Sequence, residues 1–86
     1  MPEISRFYGI IITMYYSDHP PPHFHVRYNE WRAVVRIDDM ALIEGLLPGR
    51  VSAMVKEWGM AHRDELRANW KLTEARRPLA HVTPLE

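Results

Sequence analysis

Two segments of alternating polarity, His23–Tyr28 and Trp31–Asp38, are separated by only Asn29-Glu30. No other feature of the chain restricts its fold as much. Alternate side chains of a strand leave opposite faces, so Phe24, Val26 and Tyr28 share one face while His23, His25 and Arg27 share the other. In the second segment Trp31, Ala33, Val35 and Ile37 form an apolar face, opposite Arg32, Val34, Arg36 and Asp38. A two-residue loop pairs Tyr28 with Trp31 and merges the two apolar faces into one. Asn at the first loop position supports the turn, because Asn tolerates the left-handed backbone conformation. The pattern predicts an antiparallel hairpin with an apolar side and a His/Arg side.

The flanking segments extend this reading. Phe7–Tyr16 is rich in β-branched and aromatic residues on both faces and reads as one strand covered on both sides. Asp38-Asp39 marks a second turn, and Ala41–Glu44 reads as a short edge strand. Gly45–Gly49 is a connector, with Pro48 suited to a first helical position. From Val51 the period becomes helical: Val51, Met54, Val55, Trp58, Ala61, His62, Leu66 and Trp70 trace one stripe, running to about Arg76. Gly59 and the charged group His62-Arg63-Asp64-Glu65 predict a break near 59–63, hence two helices. Pro78 ends the second, and Pro84 limits any pairing of the tail to a sheet edge. The expectation is one α+β domain over residues 1–86: a three- to four-stranded antiparallel β-meander (residues 4–46) packed against two C-terminal α-helices (48–77), then an extended tail (78–86).

At 86 residues the chain buries only about 60–65% of its unfolded surface, so its stability margin is thin. Eleven basic and 11 acidic side chains cancel, which argues against binding nucleic acid through global charge. Low net charge also weakens self-repulsion and suits a partner protein or a homodimer. There is no cysteine, so disulfides and thiolate metal sites are excluded. The N-terminus lacks a signal-peptide layout, and the longest apolar segment, around Ile10–Ile12, is far too short to span a bilayer. A cytoplasmic location without a membrane partner is the expectation.

The segment Asp18-His19-Pro20-Pro21-Pro22-His23-Phe24-His25 is where chemistry is expected. Three consecutive prolines favour a stiff polyproline II approach to the strand. The hairpin face turned away from the core collects His23, His25, Arg27, Arg32 and Arg36, with Arg27 directly across from Arg32. Like charges so placed are destabilising. Either both guanidinium groups reach solvent or stray carboxylates, or the face receives an anion such as a phosphate or a partner's carboxylate.

The histidines admit three readings. His23 and His25, two apart on a strand, suit one transition metal, with His19 or His62 as a third ligand; Asp18 and Asp38 are nearby carboxylates without a compelling place. The same two imidazoles beside arginines could act as acid and base on a phosphodiester, a metal-independent ribonuclease-like site. The plain reading is that they hydrogen-bond to the loop and helix and hold the fold. His62, on an apolar stripe, is best explained as a satisfied boundary residue, with Glu65 and Asn69 close enough for a polar network. Gly-rich phosphate loops, a nucleophile elbow and the zincin helix motif are all missing.

The opening Met1-Pro2-Glu3-Ile4-Ser5-Arg6-Phe7-Tyr8-Gly9-Ile10, the segment Asp18–Val26, Leu47-Pro48, Glu57-Trp58, the run His62-Arg63-Asp64-Glu65-Leu66 with Asn69-Trp70, and the endings Pro78-Leu79 and Pro84-Leu85 are together similar to a small bacterial family, domain of unknown function 4160. Members often have Gly in the hairpin turn where this chain has Asn29, a residue able to adopt the same backbone region. The resemblance implies a stand-alone protein of about this length. Genes of the family often neighbour another small family in an arrangement suggestive of toxin–antitoxin pairs. The resemblance transfers no catalytic residue. It implies a small cytoplasmic binding or regulatory module working with a small protein partner, through the His/Arg hairpin face and the proline loop, with Arg27, Arg32, Arg36 and His19 as contact residues. RNA is the partner in the ribonuclease reading. No cofactor is expected beyond the candidate metal on His19, His23 and His25.

Overall fold

Five strands precede two helices: β1 (Glu3–Phe7), β2 (Ile10–Thr13), β3 (His23–Tyr28), β4 (Trp31–Arg36), β5 (Leu42–Gly45), α1 (Gly49–Ala61) and α2 (Arg63–Glu74). The computed structural model describes residues 2–86; Met1, the first residue of the opening motif, lies outside the described residues. The strands form one antiparallel meander in sequence order, β1-β2-β3-β4-β5, and the helices follow it, an α+β arrangement.

The hairpin has the predicted register. Tyr28 pairs with Trp31, Arg27 with Arg32 and His23 with Arg36. Asn29 takes φ 53, the left-handed conformation expected of it. Phe24, Val26, Ala33, Val35 and Ile37 are all buried. Tyr28 and Trp31, beside the turn, are the exceptions on this face: Tyr28 is half-buried and Trp31 stays 37% exposed.

The sheet has five strands rather than three or four, because Phe7–Tyr16 is not one strand. Tyr8 (φ 50) and Gly9 (φ 79) form a tight turn that folds β1 back on β2, pairing Phe7 with Ile10. Two successive positive φ values suit a two-residue hairpin turn, and Gly9 supplies one of them without steric cost. With the turn in place the apparent two-sided apolar pattern resolves into alternation. Ile10, Ile12 and Met14 are buried, whereas Ile11, Thr13 and Tyr15 are only half-buried.

The core lies between one face of this sheet and the helices. Trp58 is fully buried, its ring 5.4 Å from Phe7 and 5.7 Å from Phe24. Val51, Val55 and Leu66 complete the helical side. Burying each such side chain contributes about 1.5–3 kcal/mol. The helical break falls at His62 (φ −120, ψ 23), whose amide still bonds the Trp58 and Gly59 carbonyls, and whose carbonyl accepts from Leu66 of α2. Gly59 is not the cause of the break. It is a point of close approach, where an added Cβ would overlap Met40 Sδ. Ala61, expected on the apolar stripe, is exposed; the break rotates α2 relative to α1, and Asn69 and Thr73 join Leu66 and Trp70 inside.

The tail is strapped to the domain. Asn69 donates Nδ2–H to the Ala80 carbonyl (2.8 Å) and accepts from the Ala80 amide (2.9 Å). Val82 N–H donates to the Ile4 carbonyl of β1, and Trp58 Nε1–H to that of Thr83. No helix among the described residues is long and apolar enough to cross a membrane.

Candidate functional site

The helices cover one face of the sheet, and the other carries a groove of about 430 Å³ lined by residues of all five strands and Tyr15. Its floor follows from register. Arg6 pairs with Ile11, Ile11 with Arg27, and Arg27 with Arg32, so three arginines and one isoleucine form a row across four strands. The next row runs Glu3, Thr13, His25, Val34, Glu44.

Arg6 and Glu3 join this face through a backbone irregularity. Residues three apart on a regular strand face opposite ways. A bulge between Glu3 and Ser5 adds one residue, so Ile4 and Ser5 both turn inward while Glu3 and Arg6 both line the groove. Arg6 Nη2 and Nε then donate to the Glu3 carboxylate at 2.7 and 3.2 Å. The hydrogen bond to Glu3 raises the Arg6 pKa, and in return the same bond lowers that of Glu3.

Arg27 and Arg32 have no such relief. Neither makes a hydrogen bond or ion pair with any described residue, although they face each other across the hairpin. Arg36, expected beside them, is outside the groove. Its guanidinium grips Asp39 in a fork (2.9 and 2.6 Å), because the tight turn after β4 brings that carboxylate back over it. Asp39 falls to about 2, chiefly through the Arg36 hydrogen bond and then that of the Ala41 amide.

Beside the groove the loop before β3 builds a second feature. Ser17 takes φ 59, and Asp18 Oδ1 accepts the His19 amide (3.0 Å), a local turn that sets the Asp18 carboxylate over the strand. Asp18 Oδ2 lies 2.8 Å from His23 Nε2 and 3.0 Å from His25 Nε2. Burial pushes the Asp18 carboxyl up, but hydrogen bonds from His25, the His19 amide and His23 outweigh it and hold it below the ordinary value. His23 Nδ1 meets the Pro21 carbonyl at 2.7 Å. A carbonyl only accepts, so Nδ1 carries a proton. The His25 ring packs edge-on to Tyr15 (4.5 Å) and lines the groove, and no described residue hydrogen-bonds its Nδ1.

The structure thus brings His23 and His25 together as expected, but under a carboxylate. His19 is exposed and its ring stays out of the cluster, because the turn uses its amide. His62 is also elsewhere: its Nδ1 bonds Glu65 Oε1 (2.7 Å) and its ring lies 5.8 Å from Trp58. Asn69 does not join it, being bound to Ala80. His23 shares the strand parity of His25 yet is buried, because Trp70 of α2 packs 5.1 Å from its ring. The proline segment is not a continuous polyproline II run, since the Pro20–Pro21 peptide is cis. Two contributors lie outside the expected set. Asp18 stands out in the sequence only as a nearby carboxylate without a compelling place, and Arg6 reaches the groove through a bulge that no residue pattern announces.

The model of a family described as a domain of unknown function (DUF4160) matches residues 9–71. The chain belongs to this family. The match takes in Asp18, His23, His25, Arg27 and Arg32, while Arg6, β1 and the tail fall outside it. Comparison with curated proteins and with solved structures found no match. Family membership therefore fixes the relatives of the site without fixing its chemistry.

Proposed function

We propose that this chain is a small binding or regulatory module whose open sheet face receives an anionic group of a partner protein. The observation that carries it is the Arg27–Arg32 pair, two facing guanidinium groups that no carboxylate of the described residues pairs with, in a groove that also holds Arg6 and Ile11. A bound carboxylate or phosphate turns their repulsion into charge-assisted, bidentate hydrogen bonding. Glu3 and Glu44 line the same groove, which disfavours an extended polyanion and suits a single acidic group beside an apolar contact on Ile11. The volume is that of a small-ligand or side-chain pocket. The family's gene arrangement supports a bacterial two-protein, toxin–antitoxin-like system as the source of that partner, acting in the cytoplasm.

The test is co-purification of the tagged chain with the product of its neighbouring gene. Arg27→Ser with Arg32→Ser should lower the amount retained, and added salt should lower it for the unsubstituted chain. Equal retention by the double variant would remove this surface from the proposal.

A ribonuclease reading has one observation in its favour. Asp18 orients His25, whose Nδ1 meets no hydrogen-bond partner among the described residues and lies beside arginines, a layout suited to proton transfer at a bound phosphodiester. His23 is less suited to partner it, since both its ring nitrogens are engaged. Cleavage of RNA by the pure chain, with a bell-shaped pH profile that survives a chelator, is the signature that would promote this reading over the first.

A further inference from the structure

We propose that Asp18, His23 and His25 bind one divalent transition-metal ion, with zinc as the reference ion. Each offers one ligand atom, a carboxylate oxygen or an imidazole nitrogen, and the three lie within 4.8 Å of one another. A tetrahedral ion held at about 2.0–2.2 Å separates its ligands by about 3.3 Å. Asp18 Oδ2 already stands 2.8 and 3.0 Å from the two nitrogens. Each of these two distances is a few tenths of an ångström from the chelating one.

The surroundings favour the metal over plain hydrogen bonding. The Pro21 carbonyl engages His23 Nδ1 and so orients the ring with Nε2 facing Asp18. This is the outer-shell partner that metal-bound histidines characteristically have. A cation bound between Nε2 and Oδ2 takes the place of the hydrogen bond that now joins them. The two histidines stand on one rigid strand at i and i+2, so their separation is set before any ion arrives. Two imidazoles and one carboxylate, in a chain without cysteine, suit zinc, cobalt or nickel better than the oxygen-seeking calcium or magnesium. His23 is buried while Asp18 and His25 are half-buried, which leaves the remaining coordination positions facing solvent.

This inference stands apart from the anion groove. His25 is common to both, but Asp18 and His23 do not line the groove, and Arg27 and Arg32 are not ligands.

The experiment is titration of tag-free protein with zinc by calorimetry and with cobalt by visible absorption. One ion per chain is expected, with cobalt bands of a four- or five-coordinate nitrogen and oxygen site. Asp18→Asn and His25→Gln should each weaken zinc binding at least tenfold, while His19→Gln and His62→Gln leave it unchanged. His23→Gln removes a buried ring and risks unfolding, so the two half-exposed positions carry the test, with circular dichroism confirming their fold. Zinc affinity no tighter than millimolar, affinity retained by both ligand variants, or loss with His19→Gln would overturn the proposal.

Discussion

Removing one guanidinium from the open sheet face should make this protein more stable. Arg27 and Arg32 are directly paired across β3 and β4, and neither meets a carboxylate among the described residues. Directly opposed residues have Cβ atoms about 5 Å apart, and side chains splaying from there put the two charges roughly 7 Å apart. Their repulsion at the dielectric constant of water is then about 0.6 kcal/mol, falling to about 0.3 kcal/mol with the screening of 0.1 M salt. Both values sit inside the range of roughly 0.2–1 kcal/mol known for cross-strand pairs. For a domain of this size each kcal/mol moves the melting temperature by about 4–8 °C, so Arg27→Gln should raise it by about 1–5 °C at low salt. Gln keeps the stem and removes the charge. In 1 M salt, with a Debye length of about 3 Å, the gain should vanish. Arg32→Gln should give a similar gain, and the double variant little more than either single one, since the repulsion can be removed only once. Thermal unfolding of the four proteins at two salt concentrations checks this. A lower melting temperature for Arg27→Gln at low salt, or a gain that persists in 1 M salt, refutes the view that this pair is held together against its own repulsion. The expected result would mean that stability is given up at this face, as at a binding site, and Arg27→Gln should weaken partner retention while it stabilises the fold.

Three further outcomes follow from other contacts. Asn69→Ala breaks both hydrogen bonds to Ala80 and should cost about 1–3 kcal/mol; hydrogen exchange at the Val82 amide, bonded to Ile4, should speed up ahead of the sheet amides. Ser5→Ala removes a buried hydroxyl without a partner among the described residues and should stabilise by about 1 kcal/mol, read from chemical denaturation. The Asp39 carboxyl is depressed from 3.8 to about 2, so its contribution is present above pH 4 and is lost as pH falls through 2. The melting temperature of Asp39→Asn should therefore lie below that of the unsubstituted chain at pH 5 and converge with it near pH 2.

Local patterns in the sequence were enough to determine the hairpin, its register, the sided placement of Phe24, Val35, His25 and Arg27, and the two helices. Those features depend on alternation, a short loop and a 3.6-residue stripe, all carried by neighbouring residues. The turn at Tyr8-Gly9 was hidden, because an aromatic residue with positive φ is a poor turn signal and the surrounding apolar residues mimic an uninterrupted strand. Only the tertiary structure decided which polar groups meet. The Asp18 carboxylate rather than the His19 ring reaches His23 and His25, because a turn at Ser17 reverses the loop. Arg6 enters the groove because a bulge rephases β1. Arg36 leaves it because the turn after β4 offers Asp39. Periodicity assigns a side chain to a face of its own strand; which charge faces which depends on turns and bulges, whose geometry is set by the whole sheet.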